Sequence, residues 1–326
     1  MATNKHRVLI SKSLAPAGWN ILKARDDVEA IPYAPTIAAP ELQARLFDID
    51  GIVLSLTRFG TAELAAAPRM KVVARIGVGF DTVDVPALTA RKIPLMTVGL
   101  ANAPSVAEQA FSFMFALAKR NAQHNDAVRA GTWRDSLTAY PVDFLNKTIL
   151  VVGFGRIGTR VVKRALAFEM RVLVYDPYVP AQVLKAAGCE AVTDLDAAVT
   201  AADFITVHCP KNAETTAMFG TARLARMKPT AYLINTARGG IVDEAALCAA
   251  LAENRIAGAG IDVFECEPAP VDHPLLKLPN AIVSPHIAGV TVESLDRMAV
   301  AAIENTLSVL DGKPIRENAV NPEVFG

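Results

Sequence analysis

The stretch TILVVGFGRIG, residues 148–158, decides the fold. Thr148 to Val152 form a short apolar run, the pattern of a parallel strand buried on both faces. Gly153, Gly155 and Gly158 follow at G-x-G-x-x-G spacing, and Ile157, Val161, Val162, Ala165 and Leu166 then recur at helical intervals. In a strand-turn-helix context each glycine has a separate task. Gly153 permits the tight turn, Gly155 lets the backbone approach a pyrophosphate, and Gly158 lets the helix sit close to the strand. The helix N-terminus adds free N–H groups and a partial positive charge, so Arg156 and Ile157 also belong to this phosphate cradle.

Asp176 closes the next apolar run, RVLVYD (171–176), 18 residues after Gly158. A carboxylate there accepts hydrogen bonds from ribose hydroxyls and repels a 2′-phosphate. Pro177 and Tyr178 follow it, with no Arg or Lys to hold that phosphate. The pattern therefore selects NAD over NADP.

Outward from this loop, FITVHC (204–209), AYLINTA (231–237), GAGIDV (258–263) and AIVSP (281–285) repeat the apolar-run theme at βαβ spacing. An earlier set comprises Val8-Leu9-Ile10, Ile52-Val53-Leu54, Lys71-Val72-Val73 and Pro94-Leu95-Met96, with helical segments such as APELQARLF (39–47) between them. Together these predict two open α/β sheets. Between the sets, NAPSVAEQAFSFMFALAKRN (102–121) is apolar almost all round, as a fully buried helix is. Ser105 and Glu108 have capping-box spacing, while Pro104 is the alternative first helical residue. The helix reads equally as a core element or as one that also packs at a subunit interface. A last helix is expected over 291–312, stopped by Gly312 and Pro314, with a turn-like tail after it.

The 326 residues exceed one ordinary core and suggest two domains. Thirty-three basic residues balance thirty-three acidic ones, so no general attraction to nucleic acid or to an anionic membrane is expected. MATNKHRVLI (1–10) lacks the apolar core of a secretory signal, and no run is long enough for a spanning helix. Cys189, Cys209, Cys248 and Cys266 form no CxxC pair, which suits reduced thiols in a cytoplasmic protein rather than a metal site.

Ligands of such sheets gather at the carboxyl ends of the strands. On the nucleotide side those ends are Asp176, Cys209-Pro210, Thr236-Ala237-Arg238, Asp262 and Ser284-Pro285-His286, with Gly289 giving room near the cofactor. In the first set they are Ser55–Arg58, Gly77-Val78-Gly79 and Val98-Gly99. Arg238 offers a rigid fork for a carboxylate, and His286 is a candidate acid for a developing alkoxide. A carboxylate such as Glu267 would orient that ring and favour imidazolium. Each has a plainer reading when taken alone: a structural histidine, a surface ion pair and a solvated loop acid.

The motifs taken together resemble the D-isomer-specific 2-hydroxyacid dehydrogenases. The resemblance is carried by RIGVGFDTVD (75–84), NAPSVAEQ (102–109), GFGRIG (153–158), NTARGGIVDEAAL (235–247), GAGIDVFECEP (258–268) and SPHIAG (284–289), in family order over nearly the whole chain. It implies a catalytic set in which Glu267 and His286 relay the proton and Arg238 binds substrate. It also implies that backbone N–H groups of Gly77, Val78 and Gly79 bind the substrate carboxylate, with Ser55 and Arg58 in the other substrate wall and Asn102 at the interdomain crossover. The implied fold is two doubly wound α/β domains. A Rossmann NAD-binding domain (102–289) is inserted in a flavodoxin-like substrate domain (1–101 and 290–326), with substrate entering between them. The family further implies a homodimer held through the NAD-binding domain. Glyoxylate, hydroxypyruvate and 3-phosphoglycerate lead the expected substrates; for a phosphorylated one, Arg58 and Arg75 are the candidate extra cations. The rival expectation is an NAD(H)-sensing, corepressor-like binding protein on the same fold.

Overall fold

The computed structural model describes residues 5–137 and 139–326; the first four residues of the segment read for a secretory signal lie outside them. The chain divides into two compact units, Met1–Asn102 with Val290–Gly326, and Ala103–Gly289. The second is therefore inserted in the first.

In the first unit, β1 (His6–Ser11), β2 (Val28–Tyr33), β3 (Gly51–Leu54), β4 (Val72–Arg75) and β5 (Leu95–Met96) form one sheet in the order β2-β1-β3-β4-β5. Every neighbouring pair is parallel, so each connection must cross back, and short helices do so. Three of these helices, Pro16–Lys23, Ala39–Ala44 and Val85–Ala90, carry proline in the first turn, where its missing N–H is not needed. β3 and β4 are buried along their whole length, which is why they read as continuous apolar runs. β2 escapes that reading because Glu29 and Pro32 break the apolar run of VEAIPY. It sits at the sheet edge, where proline is tolerated.

The segment after 312 does more than turn. Ala319 pairs antiparallel with Met96, and Asn321 Oδ1 accepts the Leu95 N–H at 2.8 Å. The tail thus covers the free edge of β5. The helix Val292–Leu310 begins at Thr291, whose hydroxyl accepts the Ser294 N–H at 3.1 Å, and packs on β3, β4 and β5.

The second unit contains β6 (Thr148–Val152), β7 (Arg171–Tyr175), β8 (Glu190–Ala191), β9 (Phe204–Val207), β10 (Tyr232–Asn235), β11 (Gly258–Ile261) and β12 (Ala281–Val283). Their order is β12-β11-β10-β9-β6-β7-β8, all parallel, with the strand order reversing between β6 and β9. Alternate side chains of β6 fill two cores. Ile149 and Val151 pack with Phe113, Met114 and Phe204; Leu150 and Val152 pack with Ile205, Leu233 and Ile261. Helices thus cover both faces, and the α/β reading holds.

The helix expected over 102–121 spans Ala103–Lys119 and is buried nearly all round. The capping box is not formed. Ser105 lies inside the helix and is 4% exposed, and Glu108 instead pairs with Arg164 at 2.8 Å. The helix begins at Ala103, ahead of Ser105, because Pro104 fits its first turn without an N–H. Among the described residues, no helix is long and apolar enough to cross a membrane.

Candidate active site

Within the second unit the candidate residues collect at one edge, the carboxyl ends of the strands. Gly153 follows β6 with φ +98°, a left-handed conformation open to glycine. Its N–H donates to Tyr175 O at 2.9 Å. A Cβ on Gly158 would stand 2.0 Å from Gly153 O, so the helix Gly158–Ala167 approaches the strand as closely as a residue without a side chain permits. A Cβ on Gly155, by contrast, would meet no atom within 4 Å. The loop is tight against the protein at Gly158 and open at Gly155, as a pyrophosphate cradle requires. Arg156 is exposed beside it and Ile157 is half-buried.

Asp176 directly follows β7 and is tied into this loop. Its Oδ2 accepts the Phe154 N–H at 2.8 Å, and its Oδ1 accepts the Tyr178 N–H at 3.0 Å. Each oxygen keeps a second lone pair for a ribose hydroxyl. Cys209 lies across the loop, its backbone N 2.8 Å from where a Gly153 Cβ would be. Burial pushes the Cys209 thiol up to about 11, so it brings no negative charge toward a nucleotide. Pro210 is exposed, and its carbonyl accepts the Thr215 hydroxyl at 2.7 Å. Thr236 is 6% exposed, and its buried hydroxyl has no hydrogen-bond partner among the described residues. The cradle, the anchored carboxylate and this orphaned hydroxyl all fit a dinucleotide.

His286 and Glu267 come together. His286 Nδ1 and Glu267 Oε2 are 2.7 Å apart, both side chains partly exposed. The other Glu267 oxygen accepts the Phe264 N–H at 3.0 Å. The carboxylate is thus held by its own loop, and Nε2 is the ring atom left for a substrate. His286 has φ +51°, an uncommon conformation for a residue with a side chain. Asp262 holds it there. This carboxylate is fully buried and accepts the Ser284 hydroxyl, the Ile287 N–H at 2.8 Å and the Ala288 N–H at 2.9 Å. The Asp262 carbonyl accepts the His286 N–H at 2.7 Å. Asp262 therefore appears as the clamp of the 284–288 turn, a part the sequence did not disclose. Gly289 ends the turn half-buried.

Arg238 leaves the end of β10 in a turn stapled by Asn235. Asn235 Oδ1 accepts the Ala237 N–H at 3.0 Å, and its amide donates to Arg238 O at 2.9 Å. The Arg238 guanidinium donates to Ala237 O at 2.7 Å. Gly239 joins this turn to the Glu267 loop, since a Cβ there would stand 1.9 Å from Phe264 O.

His208 shows the structural alternative. It follows β9, its Nε2 lies 2.8 Å from Thr206 Oγ1, and burial pushes its imidazole down to about 3. Such a ring is neutral near pH 7. His286, by contrast, is half-exposed and lies beside the Glu267 carboxylate.

In the first unit, Ser55 and exposed Arg58 follow β3, while Gly77, Val78 and Gly79 follow β4. Gly77 has φ +151° and open space where a side chain would go. Arg75 is 6% exposed and its Nε donates to Gly79 O at 2.8 Å. It holds the 77–79 turn from beneath. Asn102 closes this part of the unit with a buried Oδ1 that has no partner among the described residues.

Comparison with known proteins gives a consistent set of relatives. The family model described as "D-isomer specific 2-hydroxyacid dehydrogenase, NAD binding domain" matches residues 111–288. The glyoxylate reductase of Korarchaeum cryptofilum is 36% identical over 98% of this chain and 97% of its own length. The D-3-phosphoglycerate dehydrogenase of Methanocaldococcus jannaschii is 38% identical over 94% of this chain, which spans 58% of that protein. The solved D-lactate dehydrogenase of Aquifex aeolicus, complexed with NAD and lactic acid, is 29% identical with a TM-score of 0.85, covering 96% of this chain and 99% of that one.

Proposed function

Because this chain belongs to the D-isomer-specific 2-hydroxyacid dehydrogenases, we propose that it interconverts a small 2-keto acid and its D-2-hydroxy acid. The observation that carries this is the 2.7 Å pair of His286 and Glu267 on the strand-end edge that also holds the glycine loop. NAD(H), when bound, supplies or accepts the hydride at substrate C2. Arg238 binds the substrate carboxylate and polarises the neighbouring carbonyl through its planar fork. His286 Nε2 gives its proton to the carbonyl oxygen during reduction and takes it back during oxidation. Glu267 keeps the ring turned so that Nε2 faces the substrate. The family resemblance extends the proposed substrate contacts to the backbone N–H groups of Gly77, Val78 and Gly79 and to Ser55, Arg58 and Asn102.

Glyoxylate or hydroxypyruvate is the preferred substrate. The whole-length likeness to a glyoxylate reductase supports this. The test is a panel of glyoxylate, hydroxypyruvate, pyruvate and 3-phosphoglycerate, run in the appropriate direction with both dinucleotides and followed by NADH absorbance. Turnover of glyoxylate or hydroxypyruvate is expected; inactivity over the whole panel would favour an NAD(H)-sensing binding protein. In the same assay Asp176→Ala should lower the NAD/NADP preference by about tenfold or more, ~1.4 kcal/mol. An unchanged ratio would remove Asp176 from cofactor selection.

The chain pairs with a second copy through the NAD-binding unit. Val128, Trp133, Tyr140 and Leu145, each more than half exposed on the segment after helix Ala103–Lys119, support this. Light scattering should give a dimer mass, and a monomer at micromolar concentration would exclude it.

A further inference from the structure

Behind the Glu267–His286 pair stands a second histidine–carboxylate pair. His273 Nε2 and Glu244 Oε2 are 2.9 Å apart, with both side chains 14% exposed. The Leu275 N–H donates to His273 Nδ1 at 3.3 Å. With Nδ1 an acceptor, the ring proton of the neutral form sits on Nε2 and donates to Glu244. The other Glu244 oxygen accepts the Glu265 N–H at 2.6 Å. Glu265 lies two residues before Glu267, on the loop whose Phe264 N–H binds Glu267 Oε1. The loop is gripped from both sides. The Phe264 ring packs edge-on to His273, with centroids 5.4 Å apart, and the backbone of Gly239 presses on Phe264 and Glu265.

We propose that Glu244 and His273 are positioning residues for the proton relay: they lock the 264–267 loop so that Glu267 meets His286 Nδ1. This rests on Glu267 and His286 acting as the relay. Glu244 and His273 themselves touch neither substrate nor cofactor. Their effect passes through the Glu265 N–H, the Glu265 carboxylate that accepts the Glu244 N–H at 3.4 Å, and the Phe264 ring that packs on His273. The charged and titratable groups around the loop include Glu244, Cys248, Glu265, Cys266, Glu267, His273 and His286, with Lys211 Nζ next to Gly240.

The amide in Glu244→Gln can offer its oxygen to the Glu265 N–H or to the His273 Nε2–H, not to both. One donor is orphaned, so this variant should behave like His273→Leu. His273→Gln restores a donor to Glu244 and is the rescue.

The experiment uses the full chain with NADH and glyoxylate, and reads kcat, KM, NADH affinity, melting temperature and the pH profile of reduction. Glu267→Gln is the reference. An amide there replaces the carboxylate that orients the His286 ring, so kcat should fall and the pH profile of reduction should move. His273→Leu and Glu244→Gln should lower kcat about tenfold to a hundredfold, the scale of a misplaced catalytic group. They should also move the profile in the same direction as Glu267→Gln, with NADH affinity unchanged, and His273→Gln should recover most of both. A purely structural role would lower the melting temperature and leave the profile in place, and that result overturns the proposal. So does a His273→Leu variant with parent kcat. If Glu267→Gln itself leaves the profile unmoved, the relay reading fails, and the proposal falls with it by a separate signature.

Discussion

His286→Ala lowers kcat for keto-acid reduction by about 10²–10⁴-fold, the contribution of a positioned general acid, while NADH binds as in the parent. The separation follows from the geometry. The His286 backbone is held by Asp262, through the carbonyl that accepts its N–H and the carboxylate that accepts Ile287 and Ala288. Those bonds survive loss of the imidazole, so the turn and the neighbouring cofactor edge persist. What disappears is the proton source at Nε2 and the partner of Glu267 Oε2. Stopped-flow reduction together with NADH fluorescence titration reads both quantities. Near-parent turnover would remove His286 from proton transfer. A loss of NADH affinity equal to the loss of kcat would make it a binding residue instead.

Gly158→Ala and Gly155→Ala separate the two halves of the phosphate loop. At Gly158 a methyl group would lie 2.0 Å from Gly153 O and 3.0 Å from Gly153 C. Both are backbone atoms, so no rotamer change relieves the clash; the loop or the helix must move. Overpacking of this kind destabilises by about 1–3 kcal/mol, and the displaced cradle should weaken NADH by at least about tenfold. At Gly155 the methyl meets nothing in the protein. Gly155→Ala should keep the parent melting temperature and still weaken NADH, because the methyl fills the space a pyrophosphate needs. Thermal melts and NADH titration of both variants give the answer. A Gly155→Ala variant with parent NADH affinity would place the phosphates elsewhere.

The sequence carried most of the fold because buried parallel strands leave unbroken apolar runs. Val151-Val152, Phe204–Val207 and Tyr232–Asn235 are legible for that reason. Edge strands leave no such trace. β2 with Pro32 and β8 with two residues passed unnoticed, since their burial is partial and their pairing is long-range. The start of the 103–119 helix stays open in the sequence, because Ser105–Glu108 spacing mimics a cap while Pro104 also fits a first turn; the structure takes the proline alternative to within one residue.

The phosphate loop and its acid were also legible, because their chemistry is local: glycines at fixed offsets and a carboxylate at the end of the next strand. Arg238, Glu267 and His286 were legible as residue types in a familiar order. Their mutual geometry was not. Glu267 reaches His286 across 19 residues of chain, and Asp262 reaches Ile287 across 25. Glu244 reaches His273 across 29. Residue order alone determined two open α/β sheets and a dinucleotide loop, since backbone periodicity and glycine sterics act between near neighbours. Which carboxylate holds which ring was decided only by the tertiary structure. A hydrogen bond demands placement within a few tenths of an ångström, and only the packed sheet edge brings residues so far apart in sequence that close.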